Sequence, residues 1–94
     1  MDDAASDGSV HGMLERRDRE ILDFERGWWL EHGPKAQLIR RRFGISPARY
    51  QQILNRLIDR TDAVAYDPML VLRLRRLRET RRRRRTAGSL GLHV

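Results

Sequence analysis

The amino-acid sequence predicts an all-α fold: a small four-helix domain between a disordered acidic N-terminus and an Arg-rich C-terminal tail. Three observations predict it. No segment alternates apolar and polar residues with the period of two that marks a strand. Apolar residues recur instead at three- and four-residue spacing in four separate stretches. Glycine, proline and Ser or Asp capping residues punctuate those stretches. With 94 residues the chain has material for one core and none for a second.

The first helix is expected from about residue 13. At roughly 100° per residue, Leu14, Ile21, Leu22, Phe24, Trp28 and Trp29 fall on one broad stripe, which places both tryptophans in the core. His32-Gly33-Pro34 ends this helix, glycine as a left-handed cap and proline as a residue that cannot continue it. Pro34 also opens a second helix, where its missing N–H is not needed, and Ala36, Ile39 and Phe43 give that helix a narrow apolar edge. Gly44 breaks the pattern. Ser46 and Pro47 then supply an N-cap and a first-turn proline for a third helix reaching about residue 59, with Tyr50, Ile53, Leu54, Leu57 and Ile58 inward. Residues 60–66 form a polar link with room for one helical turn. Asp67-Pro68 repeats the cap-then-proline signal, and the fourth helix is expected to bury Leu70, Leu74 and Leu77 and to carry on as charge into Arg81–Arg85. The domain is thus expected over residues 13–80, after an acidic head at 1–12 with little to bury. A basic, flexible tail follows at 81–94.

Several function classes are excluded at this level. Cysteine is absent, which removes disulfides, thiolate catalysis and Cys-ligated zinc together. No apolar run approaches the ~20 residues that span a bilayer. The acidic N-terminus lacks the apolar stretch of a secretory signal, so a cytoplasmic chain without a membrane partner is expected. There is no Gly-rich phosphate loop, nucleophile elbow or acidic metal cluster, and His11, His32 and His93 are scattered. Neither an enzyme nor a cofactor or metal is expected.

Charge points the other way, toward a partner. The chain carries 20 basic and 13 acidic residues, a net charge of +7, and all the basic ones except Lys35 are arginine. Net charge runs from −5 over residues 1–33 to +4 over 34–69 and +8 over 70–94. A small chain this basic calls for an anionic partner.

The turn Phe43-Gly44-Ile45-Ser46, with a helix on either side, resembles a DNA-binding helix-turn-helix over about residues 34–59. Arg40 departs from the pattern, since such motifs place a small residue four before the glycine. The outer sector of the third helix carries Ala48, Arg49, Gln51, Gln52, Asn55 and Arg56. Gln and Asn can bond adenine edges and Arg can bond guanine, so Arg49, Gln51, Gln52, Asn55 and Arg56 are candidate base readers. Ser46 and Arg40, Arg41 and Arg42 beside the turn are candidate backbone contacts. Arg73, Arg76 and the run Arg81, Arg82, Arg83, Arg84 and Arg85 join them. Consecutive arginines repel one another in a free helix, and a polyanion relieves that repulsion. The plain alternatives are a solvated helix face, arginines placed for the helix dipole and a solubilising tail.

Four segments carry a wider likeness: Arg17-Asp18-Arg19-Glu20-Ile21-Leu22-Asp23-Phe24-Glu25, Trp28-Trp29, the Gly44 turn, and Asp67-Pro68-Met69-Leu70-Val71. Together they resemble a family of small actinobacterial proteins carried as a domain of unknown function, over about residues 14–78. The resemblance implies a compact helical DNA-binding unit and supplies no catalytic residues. An arginine-rich tail beside a helical domain is also similar to the layout of actinobacterial nucleoid-associated proteins. The expected function is therefore double-stranded DNA binding with a strong electrostatic component, as a nucleoid-associated protein or a transcriptional regulator. Two alternatives stand beside it. One is a protein-interaction module docking on RNA polymerase through the acidic face of helix one and the basic tail. The other is binding to RNA or the ribosome. A homodimer is left open, because one helix-turn-helix reads few base pairs.

Overall fold

The computed structural model describes residues 14–90, with side chains through residue 87. The described residues are helical without a strand, and five α-helices replace the expected four. They are α1 (Arg16–Gly27), α2 (Lys35–Phe43), α3 (Pro47–Leu57), α4 (Thr61–Tyr66) and α5 (Pro68–Leu90), with a short 3-10 turn at Trp28–Leu30. The expected acidic head at residues 1–12 lies outside the described residues.

The core gathers one face of every helix. Ile21, Leu22 and Phe24 of α1 meet Leu38 and Ile39 of α2, Tyr50, Leu54 and Leu57 of α3, Ala63 of α4, and Leu70 and Val71 of α5. Phe24 sits at its centre with Phe43 and Tyr50 edge-on to it, ring centroids 5.5 and 5.8 Å away. All five residues expected inward on the third helix are buried.

Local chemistry explains the elements. Gly44 takes φ +67° and its N–H donates to the Arg40 carbonyl at 2.9 Å, the left-handed cap that ends α2. Two residues later the Ser46 hydroxyl accepts from the Arg49 N–H at 3.1 Å and Pro47 fills the first position of α3. The link at 60–66 folds into α4 because its few apolar residues are used: Ala63 is fully buried and Val64 packs beside it. Asp67 closes the turn into α5, its carboxylate accepting from the Leu70 N–H at 3.4 Å.

Two expectations are corrected. The first helix ends at Gly27, not at residues 32–34, and the 3-10 turn that follows rotates Trp29 outward to 53 % exposure while Trp28 stays half-buried. Leu77 is exposed and Val71 takes the core position, because the body that α5 packs on ends near Leu74. The last helix does carry on into Arg81–Arg85 as expected, and α5 runs to Leu90. Every side chain from Glu79 to Thr86 on it is exposed.

Candidate nucleic-acid interface

Ion pairing divides the cations into two sets. Each acidic side chain from Asp18 to Glu79 makes an ion pair, so the acidic residues of the described chain are largely spent within it. Arg26 bridges to Asp67 at 2.6 Å and ties α1 to the start of α5. Arg60 holds Asp18 of α1 and Asp62 of α4. Hydrogen bonding and charge from Asp67 raise the Arg26 pKa, and those from Asp62 raise that of Arg60. These cations are structural.

The second set has no acidic partner among the described residues: Arg17 and Arg19 on α1, Arg40 and Arg41 on α2, Arg49 and Arg56 on α3, and Arg73, Arg75, Arg76, Arg81, Arg83, Arg84 and Arg85 on α5. All of them are exposed except Arg19 and Arg75, which are half-buried and donate to the carbonyls of Leu14 and Ile58. Two expected backbone contacts fall in the paired set. Arg42 donates to both oxygens of Glu31, at 3.0 and 2.9 Å, with its guanidinium over the Phe24 ring. Arg82 lies 3.7 Å from Glu79. The Ser46 hydroxyl oxygen accepts the cap bond from the Arg49 N–H, which leaves its O–H as a donor.

The arginine helix is fastened along α3. Arg75 Nε donates to the Ile58 carbonyl at 2.5 Å, and Arg78 donates to the Asn55 carbonyl at 3.0 Å and to Asp59 at 2.6 Å. Both carbonyls belong to the C-terminal end of α3, where cations complement the unpaired oxygens. The hydrogen bond from Arg78 holds the Asp59 carboxyl below its ordinary pKa.

This docking splits the expected reading face of α3. Gln51 and half-buried Asn55 turn toward α5, with Gln51 Nε2 donating to Asn55 Oδ1 at 3.1 Å. They line a groove of about 340 Å³ whose other walls include Trp28, Trp29, Lys35, Arg73, Leu77 and Arg81. Ala48, Arg49, Gln52 and Arg56 remain fully outward. Arg49 and Arg56 border a second hollow of about 170 Å³ with Arg17 and Arg60.

A polar cluster at the floor of the groove was not legible as such in the sequence. Glu25 is buried, and its carboxylate receives the Tyr50 hydroxyl at 2.5 Å and Lys35 Nζ at 2.9 Å. Lys35 also lies over the Trp28 ring, 5.3 Å from its centroid. Burial first, and then the Glu25 charge, push the Tyr50 phenol far above its ordinary value. The signal available was the single lysine among arginines.

The described residues hold no group of three His, Cys, Asp or Glu that could take a metal, and no described helix is long and apolar enough to cross a membrane. What they define is a small, all-helical domain whose arginines without acidic partners lie on α1, α2, α3 and, in greatest number, a projecting α5. The chain belongs to the family described as a protein of unknown function, DUF3263, whose model matches residues 13–86. No curated protein and no solved structure matches it.

Proposed function

We propose that the protein binds double-stranded DNA, chiefly through its backbone, in a nucleoid-associated or regulatory role. One observation carries this reading: α5, the helix richest in unpaired arginine, is fastened along α3, which carries unpaired Arg49 and Arg56. Ion pairing supports it further. The acidic side chains of α1, which a docking module would present to a polymerase, are engaged with Arg16, Arg60, Arg26 and Lys35. The cations left over are the ones a polyanion would meet. Arg81, Arg83, Arg84 and Arg85 on the projecting helix grip phosphates, as do Arg40 and Arg41 beside the turn. Ala48, Arg49, Gln52 and Arg56 form the part of α3 that reaches base edges.

The test is fluorescence anisotropy of a labelled random-sequence duplex across a salt series, with transfer RNA as competitor. The log–log slope is expected to be steep, and replacing all five arginines at 81–85 by glutamine should flatten it by up to about 4 units, at ~0.9 per phosphate released. Preference for transfer RNA over the duplex would replace this proposal with RNA binding.

A further inference from the structure

The groove between α3 and α5 has the chemistry of a binding site in its own right. Its volume, about 340 Å³, is that of a small-ligand pocket. Its walls are not those of an ordinary crevice. Trp29 is 53 % exposed, and its edge-to-face contact with Trp28, centroids 6.3 Å apart, leaves the pair open to the groove. Lys35 lies over Trp28 and so occupies part of that ring's surroundings, which makes Trp29 the available stacking surface. The bond from Gln51 Nε2 to Asn55 Oδ1 leaves Gln51 Oε1 as an acceptor and Asn55 Nδ2 as a donor, a pairing suited to the edge of a base. Arg73 and Arg81, without acidic partners among the described residues, line the same groove from α5. Arg78 Nε, in that wall, is a buried donor with no hydrogen-bond partner.

An aromatic surface, an amide donor–acceptor pair and two unpaired guanidiniums around one groove fit a planar heterocycle carrying a phosphate. We infer that this groove binds a single unstacked nucleotide, its base against Trp29 and the Gln51–Asn55 amides and its phosphate at Arg73 and Arg81. The site goes beyond duplex binding and does not depend on it. A free nucleotide and an unpaired nucleotide within a strand share this chemistry.

The chain has two tryptophans and both line the groove, so intrinsic emission reads this site. Titration of the full chain with adenosine monophosphate, excited on the red edge of the indole band, should give saturable quenching. Adenosine should bind at least ~10-fold more weakly, and inorganic phosphate alone should leave emission unchanged, because base and phosphate contacts are both needed. Arg73→Ala with Arg81→Ala, both exposed and so without cost to the fold, should weaken the nucleotide by ~10-fold or more. Trp29→Ala should abolish saturation while duplex affinity in a separate assay stays as in wild type. A short thymidylate strand distinguishes the sources: tighter binding than the monomer assigns the site to strands, and equal binding assigns it to free nucleotides. Absence of saturable quenching by both monomer and strand, or the same affinity in the double arginine variant, would overturn the assignment whatever the duplex assay gives.

Discussion

Glu31 grips Arg42 through both carboxylate oxygens, at 2.9 and 3.0 Å, while Arg40 and Arg41, the preceding residues on the same helix, meet no acid among the described residues. Neighbours in sequence thus have opposite duties. Arg42 fastens α2 to the chain just after the 3-10 turn and covers Phe24, whereas Arg40 and Arg41 stand in solvent as free charge. The same division recurs on α5, where Arg75 and Arg78 dock and Arg76 and Arg81 do not.

The buried carboxylate makes a stability prediction. Lys35→Met leaves Glu25 buried with Tyr50 as its remaining side-chain partner and should cost about 2–3 kcal/mol, below a fully buried pair because the lysine is 31 % exposed. Arg42→Met removes a far more exposed pair and should cost less than about 1 kcal/mol. Urea denaturation of both variants checks the ranking. Equal losses would show that the Glu25 charge is stabilised by something other than Lys35.

Tyr50 predicts an alkaline limit. Its phenol is held above the ordinary value of 10 in the folded protein, so the stabilisation is complete below pH 10 and is lost as the pH rises beyond it, when the unfolded chain ionises first. Each further pH unit should remove about 1.4 kcal/mol from this group. Denaturation midpoints at pH 9, 10 and 11 should fall accordingly, and Tyr50→Phe should flatten the fall at the expense of lower stability at neutral pH. An unchanged pH dependence in that variant would contradict the assignment.

Gly44 separates strain from crowding. Its φ is +67°, yet a Cβ built there meets nothing within 4 Å, so a side chain costs only its backbone preference. Gly44→Val should lower stability by about 1–2 kcal/mol, and Gly44→Asn by clearly less, since Asn tolerates the left-handed region. Thermal melting resolves the two; identical melts would mean the turn relaxes to negative φ.

The parts of the fold legible in the sequence are those whose causes are local. Gly44, Ser46 and Pro47 act on their own turn, and the inward positions of α3 repeat with the helix because the core flanks its whole length. The failures share one cause, information held elsewhere in the chain. Leu77 continues the spacing of Leu70 and Leu74, but the spacing carries no record of where the packing partner ends. Trp29 fits the stripe of α1 only if the helix continues past Gly27. Asn55 and Gln51 are polar and outward by angle, and only the docking of α5 by Arg75 and Arg78 sets them in a groove. Glu25 sits beside Phe24 as one more charge until Lys35 and Tyr50, 10 and 25 residues away, close on it.

The division of arginines into paired and free sets is the central claim, and α2 allows it to be measured within three consecutive residues. Duplex binding is followed against salt for wild type, for Arg40→Gln with Arg41→Gln, and for Arg42→Gln. Each free arginine lost should flatten the log–log slope by ~0.9, so the double variant should lose about 1.8 units. Arg42→Gln should leave the slope at the wild-type value, because its charge is already met by Glu31. A slope unchanged in the double variant, or flattened as much by Arg42→Gln alone, would contradict the claim that the unpaired arginines are the ones that bind DNA.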